Sequence, residues 1–475
     1  MTRGRLAPPS GGGVVAVLAL AGMTASFMQT LLIPIQSELP ELLGATRDDT
    51  AWAITSTLLA GAICTPISGR LGDMYGKRRV LLLLVGALVA GSVVAALAYS
   101  VVPLIVGRAL QGAGLGVIPL GISVLRDVLH PDRLPSAIAL VSATLGVGAA
   151  LGLPISAAVT QYADWHVLFW GASALGLVLL VLVAWVVPPS TLRTGGRLDV
   201  VGIVGLTAGL TGVLLAVSRG NDWGWTSPLT IWLTLGGVAV LLAWGVFELR
   251  VPNPLVDLRV SARGTVLVTN LASVAMGFAL FTANVVFPQL LELPRERGGL
   301  GLSLIQSGLV LMPLGLAMLV MSPVAGRLMG RFGPKPLLVS GALVIALGYG
   351  LSVVAPLDVG LVLLVNLLAG VGIGLGFAAM PSLVMSAVPS TETGAANGLN
   401  QFMRSLGTTS AATVVAAVLA RSTTSVDGVE APGIDGFRAA LVLGLVSALV
   451  SAVLASLVPP PRRHAGEHAS MPEGR

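Results

Sequence analysis

The chain has 475 residues, of which 55% are hydrophobic and only 10% charged, with a formal net charge of +6. Its mean hydropathy is +0.92. Soluble domains average about 25% charged residues, so this chain could not cover its own surface in water. A soluble enzyme, a nucleic-acid-binding module and a disordered chain are excluded.

Fourteen apolar runs approach the roughly 20 residues that a helix needs to cross a bilayer. They are centred on Val14–Ile35, Ala51–Ser68, Val80–Ala98, Val102–Leu125, Ala137–Thr160, Val167–Val187 and Val200–Val217. They continue as Leu229–Phe247, Val266–Leu291, Leu304–Ala325, Leu337–Ala355, Val359–Met380, Leu406–Ala420 and Ala439–Val458. None alternates with the period of a strand, which excludes a β-barrel. The first run is too long for a signal-peptide core and is expected to stay uncleaved. Cys64 is the only cysteine, so no internal disulfide or cysteine-based metal site is available. Read plainly, it is a small buried apolar side chain.

With the N-terminus in the cytoplasm, 20 of the 27 lysines and arginines fall in inside segments and six in outside segments. Arg404, placed just ahead of the thirteenth span, is among the inside group, and Arg108 is the one cation within a span. This asymmetry follows the positive-inside rule and predicts that both termini are cytoplasmic. The basic balance therefore reflects membrane topology and not a nucleic-acid partner.

Pro66-Ile-Ser-Gly69-Arg70-Leu71 returns as Pro323-Val-Ala-Gly326-Arg327-Leu328, 257 positions later. The ladder Gly112, Gly114, Gly116 returns as Gly370, Gly372, Gly374, 258 positions later. Two landmarks at nearly one offset predict a duplicated six-span unit. The expected plan is an all-α integral membrane fold of about fourteen helices arranged six, two, six. A cytoplasmic tail (1–13) precedes an N-terminal bundle (14–188). A linker with two extra spans (189–263) leads to a C-terminal bundle (264–458) and a cytoplasmic tail (459–475). Parallel repeats with a site near the midplane are a transporter plan.

Arg108 is a functional candidate by default, since a cation at mid-span costs about 2.5–3.5 kcal/mol to insert. Gln111 shares its helical face. A structural arginine bonded to backbone carbonyls is the alternative. No acid lies in the middle of any run, so no deep anionic pocket for a cation is visible. Asp48 and Asp49 are the acids nearest the outer leaflet, and they read most simply as solvated. Gln29, Gln36, Asn270, Asn284, Gln306 and Asn366 are intramembrane polar groups that line a cavity or bridge helices. Gln29 and Asn366 are the preferred cavity residues, Asn366 because it occupies the repeat position of Arg108. Phe27, Met28 and Trp170 either pad an apolar site or face lipid. Gly148 and Gly152, with Ala157 and Ala158, give the fifth span a smooth face for close packing, and Pro154 can kink it. The Gly112-x-Gly114-x-Gly116 ladder follows no strand and is not a dinucleotide loop. No P-loop is present, and His464 and His468 in the Pro-rich tail do not make a metal site. No cofactor and no enzymatic activity are expected.

The expected loop after span 2, Gly69-Arg-Leu71-Gly-Asp73-Met-Tyr-Gly76-Lys77-Arg78-Arg79, resembles the signature Gly-x-Leu-x-Asp-x-x-Gly-Arg-Lys/Arg-Arg of the major facilitator superfamily. Arg108-Ala-Leu-Gln111-Gly112 is similar to its Arg-x-x-Gln-Gly motif. With the span count, these point to the fourteen-span drug–proton antiporters. Two departures stand out. Span 5 reads Gly148-Ala-Ala-Leu-Gly152-Leu-Pro154 where the family has Gly-Pro-x-x-Gly-Gly. Span 1 has Gln29 near the position of the family's acid.

The resemblance implies that Asp73, meeting a helix dipole or an arginine of the opposite half, locks the outward-facing state. Gly69 and Gly76 would permit the tight approach. Lys77, Arg78 and Arg79 belong to the same switch or merely anchor topology. The resemblance further implies that Arg108 and Gln111 serve proton coupling. The fifth span would belong to the interface between halves, or simply pack closely. The expected function is export of small amphipathic drugs by proton antiport, from a monomer in a bacterial cytoplasmic membrane. The partners are a small-molecule substrate, protons and the lipid bilayer. A narrow exporter or facilitator of one endogenous metabolite is the alternative. A non-transporting membrane scaffold or a membrane-embedded enzyme is a third reading, which energy-coupled flux would exclude.

Overall fold

Lipid offers no partner to backbone N–H and C=O groups, so an apolar run must satisfy them internally as a helix. The computed structural model of the chain describes residues 11–32, 35, 38–190, 195, 198–252, 254–262, 264–426 and 429–459. Gln36, His464, His468, Arg3, Arg5, Arg193, Arg197, Arg263, Arg462, Arg463 and Arg475 lie outside them, as do the side chains of Arg47, Asp48 and Ala157. Among the described residues fourteen helices are long and apolar enough to cross a membrane. They are α1 (Gly11–Thr30), α2 (Arg47–Tyr75), α3 (Lys77–Ala96), α4 (Val101–Val128), α5 (Leu134–Tyr162), α6 (His166–Val186) and α7 (Val200–Trp223). They continue as α8 (Pro228–Glu248), α9 (Gly264–Glu292), α10 (Leu304–Phe332), α11 (Pro334–Val354), α12 (Val359–Ser386), α13 (Thr393–Arg421) and α14 (Ile434–Leu457). Helix α4 is interrupted by a 3-10 turn at Gly114–Gly116.

Local chemistry sets the starts. The side chains of Thr46, Asp199, Ser227 and Asp358 each accept a backbone N–H of the first turn of α2, α7, α8 and α12. Ser303 and Gln306 form a reciprocal capping box on α10. Helices α2 and α3 are joined by Gly76 alone, at φ 104°, and α10 and α11 by Gly333, at φ 80°. Both joints need the left-handed region that only glycine enters freely, and they stand one repeat offset apart.

Two separate apolar cores form. One gathers α1 to α6, with Leu18, Val85, Leu88 and Phe169 among its buried residues. The other gathers α9 to α14 around Met276, Phe287, Tyr349 and Phe437. The halves meet twice by the same repeat contact: α2 on α13, and α5 on α10. Helix α7 seals the first seam, its Leu206, Leu210 and Leu214 packing with Ala62 of α2 and Leu399 and Phe402 of α13. Helix α8 pairs with α7 and is the least buried of the fourteen.

Two expectations need correction. Helix α2 runs to Tyr75, so Gly69 to Asp73 are helical and not loop. Helix α13 begins at Thr393, thirteen positions before the expected span. Arg404 therefore lies inside a crossing helix, and Arg108 is not the only deep cation. In both cases polar residues continue a helix because they face protein and not lipid. A two-stranded hairpin, β1 (Thr423–Val426) with β2 (Val429–Pro432), joins α13 to α14.

Backbone-to-backbone packing of α11 on α12 requires glycine. A Cβ on Gly341 would lie 2.4 Å from the Gly372 carbonyl oxygen, whereas one on Gly350 of the same helix would meet nothing within 4 Å. Gly341→Leu is expected to cost about 1–3 kcal/mol by overpacking and to lower the melting midpoint in detergent, with Gly350→Leu near wild type.

Candidate functional site

At the end of the bundle that carries the α2–α3 joint, Asp73 lies on the last turns of α2, 1% exposed. Its Oδ1 accepts the backbone N–H of Gly394 at 3.1 Å and its Oδ2 that of Ala395 at 2.8 Å. These are first-turn N–H groups of α13, in the opposite half. They have no partner within their own helix and carry its positive dipole end. The approach is possible because Gly69 has no side chain: a Cβ there would stand 2.2 Å from the Gly394 carbonyl oxygen.

Lys77, at the start of α3 and 1% exposed, completes this clasp. Its Nζ donates to Asp127 Oδ1 at 2.8 Å and to the Ser123 carbonyl at 3.2 Å, both on α4, and to Thr393 Oγ1 of α13 at 3.1 Å. Ser123 and Thr393 hydroxyls share a 2.6 Å bond across the seam. Lys77 is thus part of the contact between halves and not a solvated anchor. Arg78 bonds within its own half, to the Ala184 carbonyl, and Arg79 is exposed.

Towards the other end, Arg108 of α4 is buried against the end of α1. Its Nη1 donates to the Met28 carbonyl at 2.8 Å and to Gln111 Oε1 at 2.9 Å, and Nη2 reaches the Gln29 carbonyl at 3.5 Å. Gln111 Nε2 in turn donates to Ser92 of α3 at 2.8 Å. The last carbonyls of α1 have no helical partner. Phe27 is served by Thr30, and Met28 and Gln29 by Arg108. Among the described residues no carboxylate lies within ion-pair distance of Arg108. Asn366 of α12, buried at the repeat position, donates to Val362 of its own helix at 2.9 Å.

Helix α5 does lie between the halves, but Gly148 and Gly152 face α1. Their Cβ positions fall 2.3 Å from the Met23 carbonyl oxygen and 1.8 Å from Thr30 Oγ1. On α5 it is Gly146, Ala150 and Ser136 that meet α10, the first two against Gly315 and the last against Gly326. Pro154 is interior to α5.

One group escaped the sequence reading. Arg404 of α13 is 6% exposed and sits over the Phe377 ring of α12, 4.0 Å from its centroid. The legible signal was the spacing of Thr393, Asn397, Asn400, Arg404 and Thr408, one polar stripe at helical period.

Fourteen crossing helices in two like halves, clasped across a seam at one end, define a polytopic membrane transporter. The family description Major Facilitator Superfamily matches residues 18–412, and the chain belongs to that superfamily. It is accordingly a transporter and not an enzyme. Among its relatives, the multidrug transporter protein MdtP of Bacillus subtilis (strain 168) is 26% identical, over 86% of this chain and 74% of its own. The multidrug resistance protein Stp of Mycobacterium tuberculosis (strain CDC 1551 / Oshkosh) is 27% identical, over 84% and 74%. The match spans 61% of the length of YhcA, an uncharacterized transporter of Bacillus subtilis (strain 168). In fold it is similar to the human organic anion transporter MFSD10, with TM-score 0.67 and 17% identity over 94% of this chain and 100% of that one. It is also similar to the proton:xylose symporter XylE, with TM-score 0.64 and 16% identity over 94% and 96%.

Replacing Arg108 leaves buried carbonyls at the end of α1 without donors, which costs about 1–3 kcal/mol. Arg108→Met is expected to lower the melting midpoint clearly. Arg108→Lys should rescue it only in part, because an ammonium lacks the planar fork.

Proposed function

We propose that the chain is a secondary active exporter of small amphipathic compounds, driven by proton entry and working by alternating access. The observation that carries the reading is the clasp of Asp73 on the N-terminus of α13. Its bonds across the seam are hydrogen bonds and charge, so they can break and re-form without unpacking the core of either half. The positive-inside count still favours a cytoplasmic clasp and cytoplasmic termini, since moving Arg404 into a span leaves 19 inside cations against six outside. A bundle clasped at the cytoplasmic end is then outward-facing, and breaking Asp73–Gly394 and Lys77–Thr393 opens it inward. The rocking bodies are residues 14–188 and 264–458, with 189–263 as the linker, in a monomer.

The relatives named for multidrug transport and resistance support drugs as substrates in a bacterial membrane. Each proton returning through 100 mV supplies about 2.3 kcal/mol. In this reading Arg108 and Gln111 tune the proton path, and Gln29, whose side chain is half-buried at the end of α1, faces the cavity. A narrower exporter or facilitator, not coupled to protons in the usual way, is the second reading. Gln29 in place of an acid and the lack of a carboxylate beside Arg108 favour it.

Inverted membrane vesicles acidified by respiration test the choice. With a pH-sensitive dye, lipophilic cations, neutral antibiotics and anions are added in turn. Dye dequenching by some of them, lost in Arg108→Ala vesicles, is the expected result. Silence across the panel with expression confirmed would sink the broad proton-coupled reading.

A further inference from the structure

The polar stripe of α13 faces a small, tight cavity between the halves, of about 10 Å³. Asn397, Gln401 and Arg404 line it from α13, and Ile118 and Ile122 face them from α4. Arg404 is eleven residues into α13, about 16 Å from its start at 1.5 Å per residue. That is near the middle of a hydrocarbon core about 30 Å thick.

Three observations converge on this pocket. Arg404 has no carboxylate within ion-pair distance and no hydrogen bond from its guanidinium among the described residues, and its guanidinium lies over the Phe377 ring. Asn397, 3% exposed, has neither its amide nitrogen nor its amide oxygen bonded. Asn400 is by contrast held by Asn270 at 2.9 Å and Ser273 at 2.8 Å, so the stripe is ordered and not loosely packed. The described carboxylates all lie near helix ends or between helices.

We propose that this pocket seats the anionic group of the exported compound, with Arg404 as its counter-charge and Asn397 as an added hydrogen-bond donor. The substrates are then amphipathic organic anions, carboxylates foremost, and not lipophilic cations. In the clasped state the cavity is no larger than a water molecule needs, so the anionic group enters as the halves part, with its apolar remainder against Ile118 and Ile122. Export of an anion from a negative interior is driven by the membrane potential itself, so no proton-carrying acid is required in α1. The proposal rests on the exporter reading in its second form, without the usual proton coupling, and assigns its substrate charge.

The test uses purified protein in proteoliposomes, with the potential set by a potassium gradient and valinomycin. Coumarin probes bearing a carboxylate, a phosphate ester, a neutral amide or a trimethylammonium group are followed by fluorescence. Binding of the same probes to detergent-solubilised protein is read by anisotropy. The carboxylate is expected to move about tenfold or more faster than the amide and the cation, as fits loss of a charge-assisted bond, and to follow the imposed potential. A phosphate ester that outpaces the carboxylate keeps the anion assignment and replaces the foremost group. Arg404→Gln should abolish the preference and Arg404→Lys restore part of it. Equal or faster movement of the cation, or an unchanged carboxylate rate in Arg404→Gln, overturns the proposal. Carboxylate binding that needs Arg404 but gives no flux would retain the site and contradict the exporter reading. Neither binding nor flux would overturn both.

Discussion

Asp73 holds two backbone N–H groups that belong to the other half of the molecule, and much of the surrounding structure makes that bond possible. An ionised carboxylate at a helix N-terminus meets both unsatisfied donors and the helix dipole. To reach them, α2 must touch α13 backbone to backbone, which Gly69 and Gly394 permit. It must also stop abruptly, which the positive φ of Gly76 achieves. Lys77 then follows at once and binds Thr393, the residue before Gly394. The signature segment is therefore one device: close approach, acceptor, hinge and cation in eleven consecutive residues.

The duplication explains where this device is asymmetric. Helices α2 and α10 have equal length, as have α5 and α13, and the two seams are the same contact made twice. At the second seam, a Cβ on Gly326 would meet Ser136, but no carboxylate stands at the position of Asp73; Gly330 does. Among the described residues, the first seam adds a charged clasp to its packing and the second is held by packing. The pair α7–α8 adds a third element, lying over the clasped seam through Leu206, Leu210 and Leu214.

Much of this was legible in the residues. Fourteen apolar runs, the repeat at offset 257 and the signature segment announce the helices, the two halves and the family. What the residues concealed was the extent of helices whose polar side chains face inward. Hydropathy drops across Asn397, Asn400 and Arg404, so the apolar run of α13 begins only at Leu406 although the helix starts earlier. The same cause made the Asp73 segment look like a loop. Arg108 was visible as a buried cation, but its partners were not: carbonyls at the end of α1 carry no side-chain signature. Gly148 and Gly152 showed a packing face without showing that α1 covers it, since small residues fit any close neighbour.

The central claim is that the Asp73 clasp holds one end of the seam shut, and distances across both ends test it directly. Spin labels at positions 133 and 331, in a Cys64→Ser background, report on the clasped end. A second pair at positions 162 and 304 reports on the other. Pulsed dipolar spectroscopy is then compared for the parent and for Asp73→Asn. The account predicts that the first distance lengthens in Asp73→Asn while the second shortens, as a rocking of two intact halves requires. Unchanged distributions at both ends would contradict it.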